Sequence, residues 1–427
     1  AGLMAWAGWL SSELSSLATV SRLRSLRALH PVSGSPHKLS VHPRTLRRML
    51  LDEPSVEGSS YHGTGRRPRG GKGAAATADG DETHHVLTVF AANDYLGLGG
   101  HTQTRAAAAE AAAAYGSGPR ASALVCGYTE MHRDLEVDLA ELTGSEDVLL
   151  FPSGFAANLA VIGALADTPD CAIFSDALNH ASIVDGARLA ARGAGAALHI
   201  YRHNDLAHLD ELLASSPARR KLIVSDSVFS MDGDLADCAG LAALRSSYGA
   251  LLCLDEAHAT LVFGERGGGL AQAAGVEGQV DLHVGTLSKA AGSQGGFVGC
   301  SRAIKQLLLS RGRAGIYSTA LPLANVAAAR VAIRLATPQL RGRLWGRVDA
   351  FRQATGAKAV SPIVPIVLGE EKAALHASAE LLRAGFLVPA IRPPTVQLGT
   401  ARLRIALSAA HELEDIRALV RALDSVT

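Results

Sequence analysis

From Phe90 onward, short apolar runs alternate with helical stretches of about ten residues, and few architectures accommodate that rhythm. Runs at 147–151, 171–175, 221–225, 250–255, 280–286 and 296–300 predict strands, and 155–165, 182–191, 206–214 and 239–247 predict the helices between them. Strands separated by single helices pair in parallel through crossovers, so the expected fold class is α/β with a mainly parallel sheet. After Pro322 an alanine-rich helix leads into a second unit, with strands at 363–368, 386–391 and 402–407 beside helices at 372–383 and 412–423. The expected organisation is an N-terminal segment (1–89), a large domain (90–320) and a smaller C-terminal α/β domain (321–427).

The N-terminal segment reads differently. Residues 22–27 are basic and predict a helix, and about 58–81 is a Gly/Arg-rich stretch that reads as a flexible insertion. Arg66-Arg67-Pro68-Arg69-Gly70-Gly71-Lys72 would pass for a nucleic-acid patch in isolation. The whole chain carries 41 Lys+Arg against 40 Asp+Glu, so no global basic field backs that patch and a solvated loop is expected. Neither nucleic acid nor a membrane is an expected partner. A hydrophobic content of 48% with 19% charged residues suffices for a large core and excludes a disordered chain. Runs such as 148–151 and 251–254 fall far short of the ~20 apolar residues of a membrane span. No positive cluster precedes the apolar residues of 1–19, so no secretory signal is expected. A soluble protein of the cytoplasm, or of an organelle, is the expectation. Five dispersed cysteines without a CxxC pair argue for buried thiols rather than a disulfide framework or a zinc site.

The chemistry-bearing residues cluster just after the predicted strands. Val284-Gly285-Thr286-Leu287-Ser288-Lys289 places one of only seven lysines among small residues at a strand end. Desolvation there lowers an amine's pKa and makes it a competent Schiff-base nucleophile, although a lysine so placed also serves to cap a strand or phosphate loop. Leu251-Leu252-Cys253-Leu254-Asp255-Glu256-Ala257-His258 delivers a carboxylate at the carboxyl end of a strand, where α/β folds bind ligands. No third and fourth ligand accompanies Asp255 and His258 at zinc spacing, so no metal is expected. Ser153-Gly154-Phe155 opens a helix and offers backbone N–H groups to a phosphate, as many structural turns also do. Asn179-His180-Ala181-Ser182 and Asp226-Ser227-Val228-Phe229-Ser230 each follow a strand, and each is open to a structural reading or a place in the same crevice. An aldehyde-binding lysine, an acidic partner for a ring nitrogen, polar donors and an anion site together match the needs of pyridoxal 5'-phosphate (PLP).

Taken with Asn93-Asp94-Tyr95-Leu96-Gly97-Leu98, residues 316–322, Ile391-Arg392-Pro393-Pro394-Thr395-Val396 and Thr400-Ala401-Arg402-Leu403-Arg404, these segments resemble the α-oxoamine synthases. Those are PLP enzymes of the aspartate-aminotransferase-like fold, fold type I, and the resemblance covers about 90–423. It implies that 90–320 is the PLP-binding domain. It further implies Lys289 as the Schiff-base lysine, Asp255 at the ring nitrogen, His180 over the ring, and His258 and Ser230 at the phenolic oxygen. Gly154, Phe155 and Thr286 fall at the phosphate, and Ser318 reaches the phosphate of a neighbouring subunit, which makes a homodimer the expected unit. Arg392 matches the position that grips the amino acid's carboxylate, with Thr395 close to the substrate; Asn93 matches a substrate position, and Arg27 matches an N-terminal arginine that contacts acyl substrate. Two positions depart from the family's pattern: Glu256 stands where Asp is usual, and Asp226 where Glu is frequent. Within the family the chain looks most like the member that joins L-alanine to a pimeloyl thioester. The alternatives are sisters that use glycine with acetyl- or succinyl-CoA, and an inactive scaffold subunit.

Overall fold

The computed structural model describes residues 2–19, 26–51 and 84–426. The 58–81 insertion, with its basic run, and residues 22–25 of the predicted basic helix lie outside them, and Leu26 and Arg27 are irregular rather than helical.

Seven strands make the central sheet: β1 (Asp147–Phe151), β2 (Cys171–Asp176), β3 (Ala197–Tyr201), β4 (Arg220–Asp226), β5 (Leu251–Asp255), β6 (Leu282–Thr286) and β7 (Gly296–Cys300). Their order across the sheet is β1-β7-β6-β5-β4-β2-β3. Strands β2 to β6 pair in parallel, while β7 runs antiparallel to both β6 and β1. Helices α1 (Gly154–Leu165), α2 (Ala181–Ala194), α3 (Leu206–Ser215) and α4 (Cys238–Tyr248) supply the connections.

Alternation along the strands builds two cores, one on each face. Phe174, Ile223, Leu252, Leu254 and Phe297 pack on one side. Ile173, Leu222, Val224, Cys253, Val284 and Val298 pack on the other. Truncating the fully buried Phe297 to Ala would cost roughly 3–5 kcal/mol by the usual scale for a large aromatic. Gly296 begins β7 opposite Thr286 on one neighbour and Phe151 on the other. A Cβ there would lie 2.4 Å from the Gly154 nitrogen, so only glycine lets β7 pass under the turn that opens α1.

The C-terminal part carries helices Leu323–Leu335, Pro338–Thr355, Glu371–Arg383 and Leu413–Leu423 beside an antiparallel sheet of Ile363–Gly369, Ala401–Ala406 and Ala390–Ile391. The single strand expected at 386–391 is two. Phe386–Leu387 pairs in parallel with His85–Val89 in a four-stranded sheet that also holds His30–Pro31 and Lys38–Val41, whereas Ala390–Ile391 joins the three-stranded one. Pro389 lies at the break and has no N–H to continue a ladder. Among the described residues, no helix is long and apolar enough to cross a membrane, and all five cysteines are free thiols, with Cys126 alone exposed.

Candidate active site

The carboxyl ends of β2, β4, β5 and β6 point their terminal residues toward one side of the sheet, as parallel strands of one fold must. There Gly154, Phe155, His180, Ser230, Asp255, His258, Thr286 and Lys289 line one cavity of about 210 Å³, with Ser153, Ser182, Asp226, Ala257 and Ser288 completing its wall. Eight of the residues singled out from the sequence therefore face one another.

Asp255 ends β5 and is buried. Its carboxylate accepts from Asn158 Nδ2 at 2.7 Å and from the Ala257 N–H at 2.9 Å, which fixes both oxygens without neutralising them. Asn158, on α1, also donates to Ser182 Oγ at 2.9 Å, and Ser182 contacts His180 Nδ1 at 2.7 Å. The His180 N–H donates to Asp226 Oδ2 at 2.8 Å, so Asp226 still anchors the turn that presents His180. Glu256 faces away from the cavity: it accepts from the Leu270 and Ala271 N–H groups at the start of the short helix Leu270–Ala273, and from Ser227 Oγ at 3.1 Å. Burial pushes its carboxyl up to about 7.

Lys289 is half-buried, and its amine has no hydrogen-bond partner among the described residues. Burial pushes its pKa down to about 8, against the opposing pull of Asp255 and Asp226, with the Arg404 cation adding to the depression. The same enclosure drives His258 well below its ordinary value, aided by Lys289 and Arg404, and lowers His180. Both imidazoles are therefore neutral near pH 7. Burial, reinforced by Asp255, raises the Asp226 carboxyl.

Four residues of this network carried no chemical role in the sequence reading. Asn158 and Ser182 connect Asp255 to His180, as above. Tyr95 donates or accepts at His258 Nδ1, 2.6 Å away, and donates to Asn93 Oδ1 at 3.3 Å. Arg404, buried on Ala401–Ala406, donates to that same Asn93 oxygen at 3.1 Å and to the Ser230 carbonyl at 2.5 Å. Asn93 thus joins the site through Tyr95 and Arg404 rather than by lining the cavity. Arg27, Arg392 and Thr395 lie elsewhere, along a separate cleft of about 600 Å³ floored by Leu382, Leu387 and Val388. Ser318 lines neither space and sits in the turn after the short helix Arg313–Ile316, beside the exposed Tyr317.

The cavity accommodates the parts of PLP. Ser153 caps α1 by accepting from the Ala156 N–H at 3.1 Å, and helix geometry leaves the first-turn N–H groups without partners inside the helix. A Cβ on Gly154 would stand 3.3 Å from Thr286 Cβ, so the bare backbone is what keeps that anion seat open. An unpartnered amine, a fixed carboxylate and two neutral imidazoles occupy the remaining walls.

Such a sheet, with a lysine just beyond one strand and an aspartate ending the next, defines a protein of the fold type I class. The family model for class I and II aminotransferases matches residues 86–423. An 8-amino-7-oxononanoate synthase of Arabidopsis thaliana is 46% identical over 91% of this chain and 83% of its own length. Among solved structures, a serine palmitoyltransferase with PLP superposes with a TM-score of 0.81 at 28% identity, covering 99% of this chain and 98% of its own. An 8-amino-7-oxononanoate synthase from Francisella tularensis gives 0.67 at 27% identity over 79% of this chain and 97% of its own. The chain belongs to the class I and II aminotransferase family, in the branch of the 8-amino-7-oxononanoate synthases.

Proposed function

We propose that this chain is a PLP-dependent acyltransferase of biotin biosynthesis. It condenses L-alanine with pimeloyl-CoA, or a pimeloyl carrier protein, to 8-amino-7-oxononanoate, free thiol and CO2. The observation that carries this reading is the convergence of Lys289, Asp255, His180 and His258 on one cavity, in a chain this similar to a synthase so named. In the balanced reaction the α-carbon of alanine bonds to the pimeloyl carbonyl carbon and the thioester C–S bond breaks. The proton that the α-carbon gives up before this attack returns to it once its carboxylate has left as CO2, and the thiolate takes a second proton from solvent.

Bound PLP supplies a cationic ring that accepts the electron pair left when the amino acid gives up its α-proton. Lys289 would hold the cofactor's aldehyde carbon and, once released as a neutral amine, carry the α-proton as general base; its pKa near 8 suits both tasks. Asp255, locked between Asn158 and Ala257, is the fixed negative charge that would keep the ring nitrogen protonated, an effect in place before reaction begins. Neutral His180 offers an uncharged imidazole face for the ring to stack on. His258 and Ser230 would address the phenolic oxygen, and the N–H groups of Gly154 and Phe155 with the Thr286 hydroxyl would hold the phosphate.

Arg404 is the buried guanidinium nearest these groups in the hydrogen-bond network. Arg27, on the larger cleft with its apolar floor, suits the far carboxylate of a pimeloyl chain, whereas Arg392, expected at the amino acid's carboxylate, lines that same cleft and not the Lys289 cavity. The unit we propose is a homodimer. Exposed Leu124, Val125, Tyr128, Phe155 and Tyr317 favour a covered face, and Ser318 beside Tyr317 would then reach the partner's phosphate. Free thiols accord with a reducing compartment, cytoplasmic or organellar.

The test is a thiol-release assay crossing alanine, glycine and serine with acetyl-, succinyl-, palmitoyl- and pimeloyl-CoA. Preference for alanine with pimeloyl-CoA is expected. Preference for glycine with acetyl- or succinyl-CoA would replace the proposal with a sister activity.

A further inference from the structure

His203 follows the edge strand β3 and lies outside the cavity, yet it joins two of the cavity's walls. Its Nδ1 is 2.9 Å from Asp176 Oδ1 and its Nε2 is 2.7 Å from Asp234 Oδ2. Each carboxylate organises a different loop. Asp176 ends β2, accepts the Leu178 N–H at 2.8 Å and offers its carbonyl to the Asn179 N–H at 3.2 Å, closing the turn that presents His180. The Asp234 carbonyl accepts the Phe229 N–H at 3.0 Å, while the Gly233 N–H reaches the Phe229 carbonyl at 2.8 Å, closing the loop that presents Ser230. Phe229 also receives the His203 ring edge-on, with centroids 4.4 Å apart.

A neutral imidazole donates from one nitrogen only; the imidazolium donates from both, and both neighbours here are carboxylates. Burial opposes that charge, but the bonds to Asp176 and Asp234 outweigh it and push the His203 pKa up to about 10. The following residue repeats the link. Asn204 adopts φ +53°, which an asparagine tolerates, and so gives its N–H to Asp176 Oδ2 at 2.9 Å and its side-chain amide to Asp234 Oδ2 and the Leu235 carbonyl, each at 3.1 Å.

We propose that His203 is a positioning residue: a doubly donating imidazolium that staples the His180 turn to the Ser230 loop and thereby sets the grip of the cavity on its cofactor. The inference rests on the PLP reading above. His203 touches no reacting atom and acts through His180 and Ser230.

The experiment strips the full-length chain of cofactor and retitrates it with PLP, following visible absorbance. His203→Phe keeps a ring against Phe229 and removes both donors. Its dissociation constant should rise about tenfold, the size of coupling expected within one hydrogen-bonded network. His203→Gln, which donates from one nitrogen only, should fall between it and the wild type, and it serves the same test if the phenylalanine variant does not fold. On a Ser230→Ala, His180→Gln background the His203→Phe penalty should largely vanish. A cofactor affinity for both His203 variants within about twofold of wild type would overturn the proposal, as would a penalty undiminished on that background. Failure of the wild type itself to bind PLP would instead overturn the reading on which the proposal rests.

Discussion

Tyr95 and His258 stand 163 residues apart in the chain and meet at 2.6 Å, hydroxyl to Nδ1, both side chains buried. The contact settles which face His258 turns to the cavity, because one ring nitrogen is already engaged. Tyr95→Phe should fold, since the ring and its packing remain, but it leaves that nitrogen without a partner. Turnover should fall roughly tenfold with a shift in the visible absorbance of the bound cofactor, the scale of one lost buried hydrogen bond. Unchanged absorbance and rate would show that Tyr95 only fills space.

Borohydride reduction of the holoenzyme followed by peptide mapping should place the cofactor on Lys289, and Lys289→Ala should abolish both label and turnover. Competing lysines are engaged: Lys305 pairs with Glu136 at 2.9 Å and Asp147 at 3.1 Å, and Lys221 donates to the Leu213 carbonyl at 2.9 Å. Label on either would move the site.

Replacing Asp255 by Asn keeps the shape and removes the charge that Asn158 and Ala257 hold in place. Exchange of the alanine α-proton with solvent should slow by about 100-fold or more, as loss of a buried charge partner costs a few kcal/mol. Exchange near the wild-type rate would remove Asp255 from the ring nitrogen.

The depressed Lys289 pKa has a sign that can be checked. Lowered to about 8 by burial, the amine loses its proton as pH rises through that value, well before an exposed lysine does near 10.4. With cofactor removed, the rate of amine-selective labelling at Lys289 should climb to a plateau just above pH 8, while labelling at other lysines keeps rising. A Lys289 profile that tracks the others would mean the cavity does not desolvate it.

Two strands of the central sheet, 147–151 and 296–300, end where their apolar runs end, because both are short, buried and bounded by polar or small residues. Strand β3 has no such signature for the opposite reason: as an edge strand its residues are mostly half-buried or exposed, so no continuous apolar run marks it. Lys289, Asp255 and His180 were legible because strand ends concentrate chemistry. Arg404 and Asn158 were not. Their side chains act at Asn93 and Asp255, which lie 311 and 97 residues away, and local pattern carries no information about contacts at such separations. The roles of Arg27, Arg392 and Thr395 rest on resemblance alone, and the structure gathers them along a different cleft from Lys289.

The pairing of Gly296 with both Phe151 and Thr286 has an engineering corollary. Strands β1 and β6 are held apart by a single intervening strand, two ladder spacings or roughly 9.6 Å, and the turn that would seat the phosphate folds back over that strand until a Cβ on Gly154 would stand 3.3 Å from Thr286 Cβ. Backbone hydrogen bonding enforces that gauge, and side-chain substitutions within the sheet cannot stretch it. A cofactor analogue with a bulkier anionic tail would have to be accommodated by lengthening the loop before α1. Selection schemes confined to the strands, Thr286 at the seat itself excepted, should return weaker binders and no change in the tail accepted.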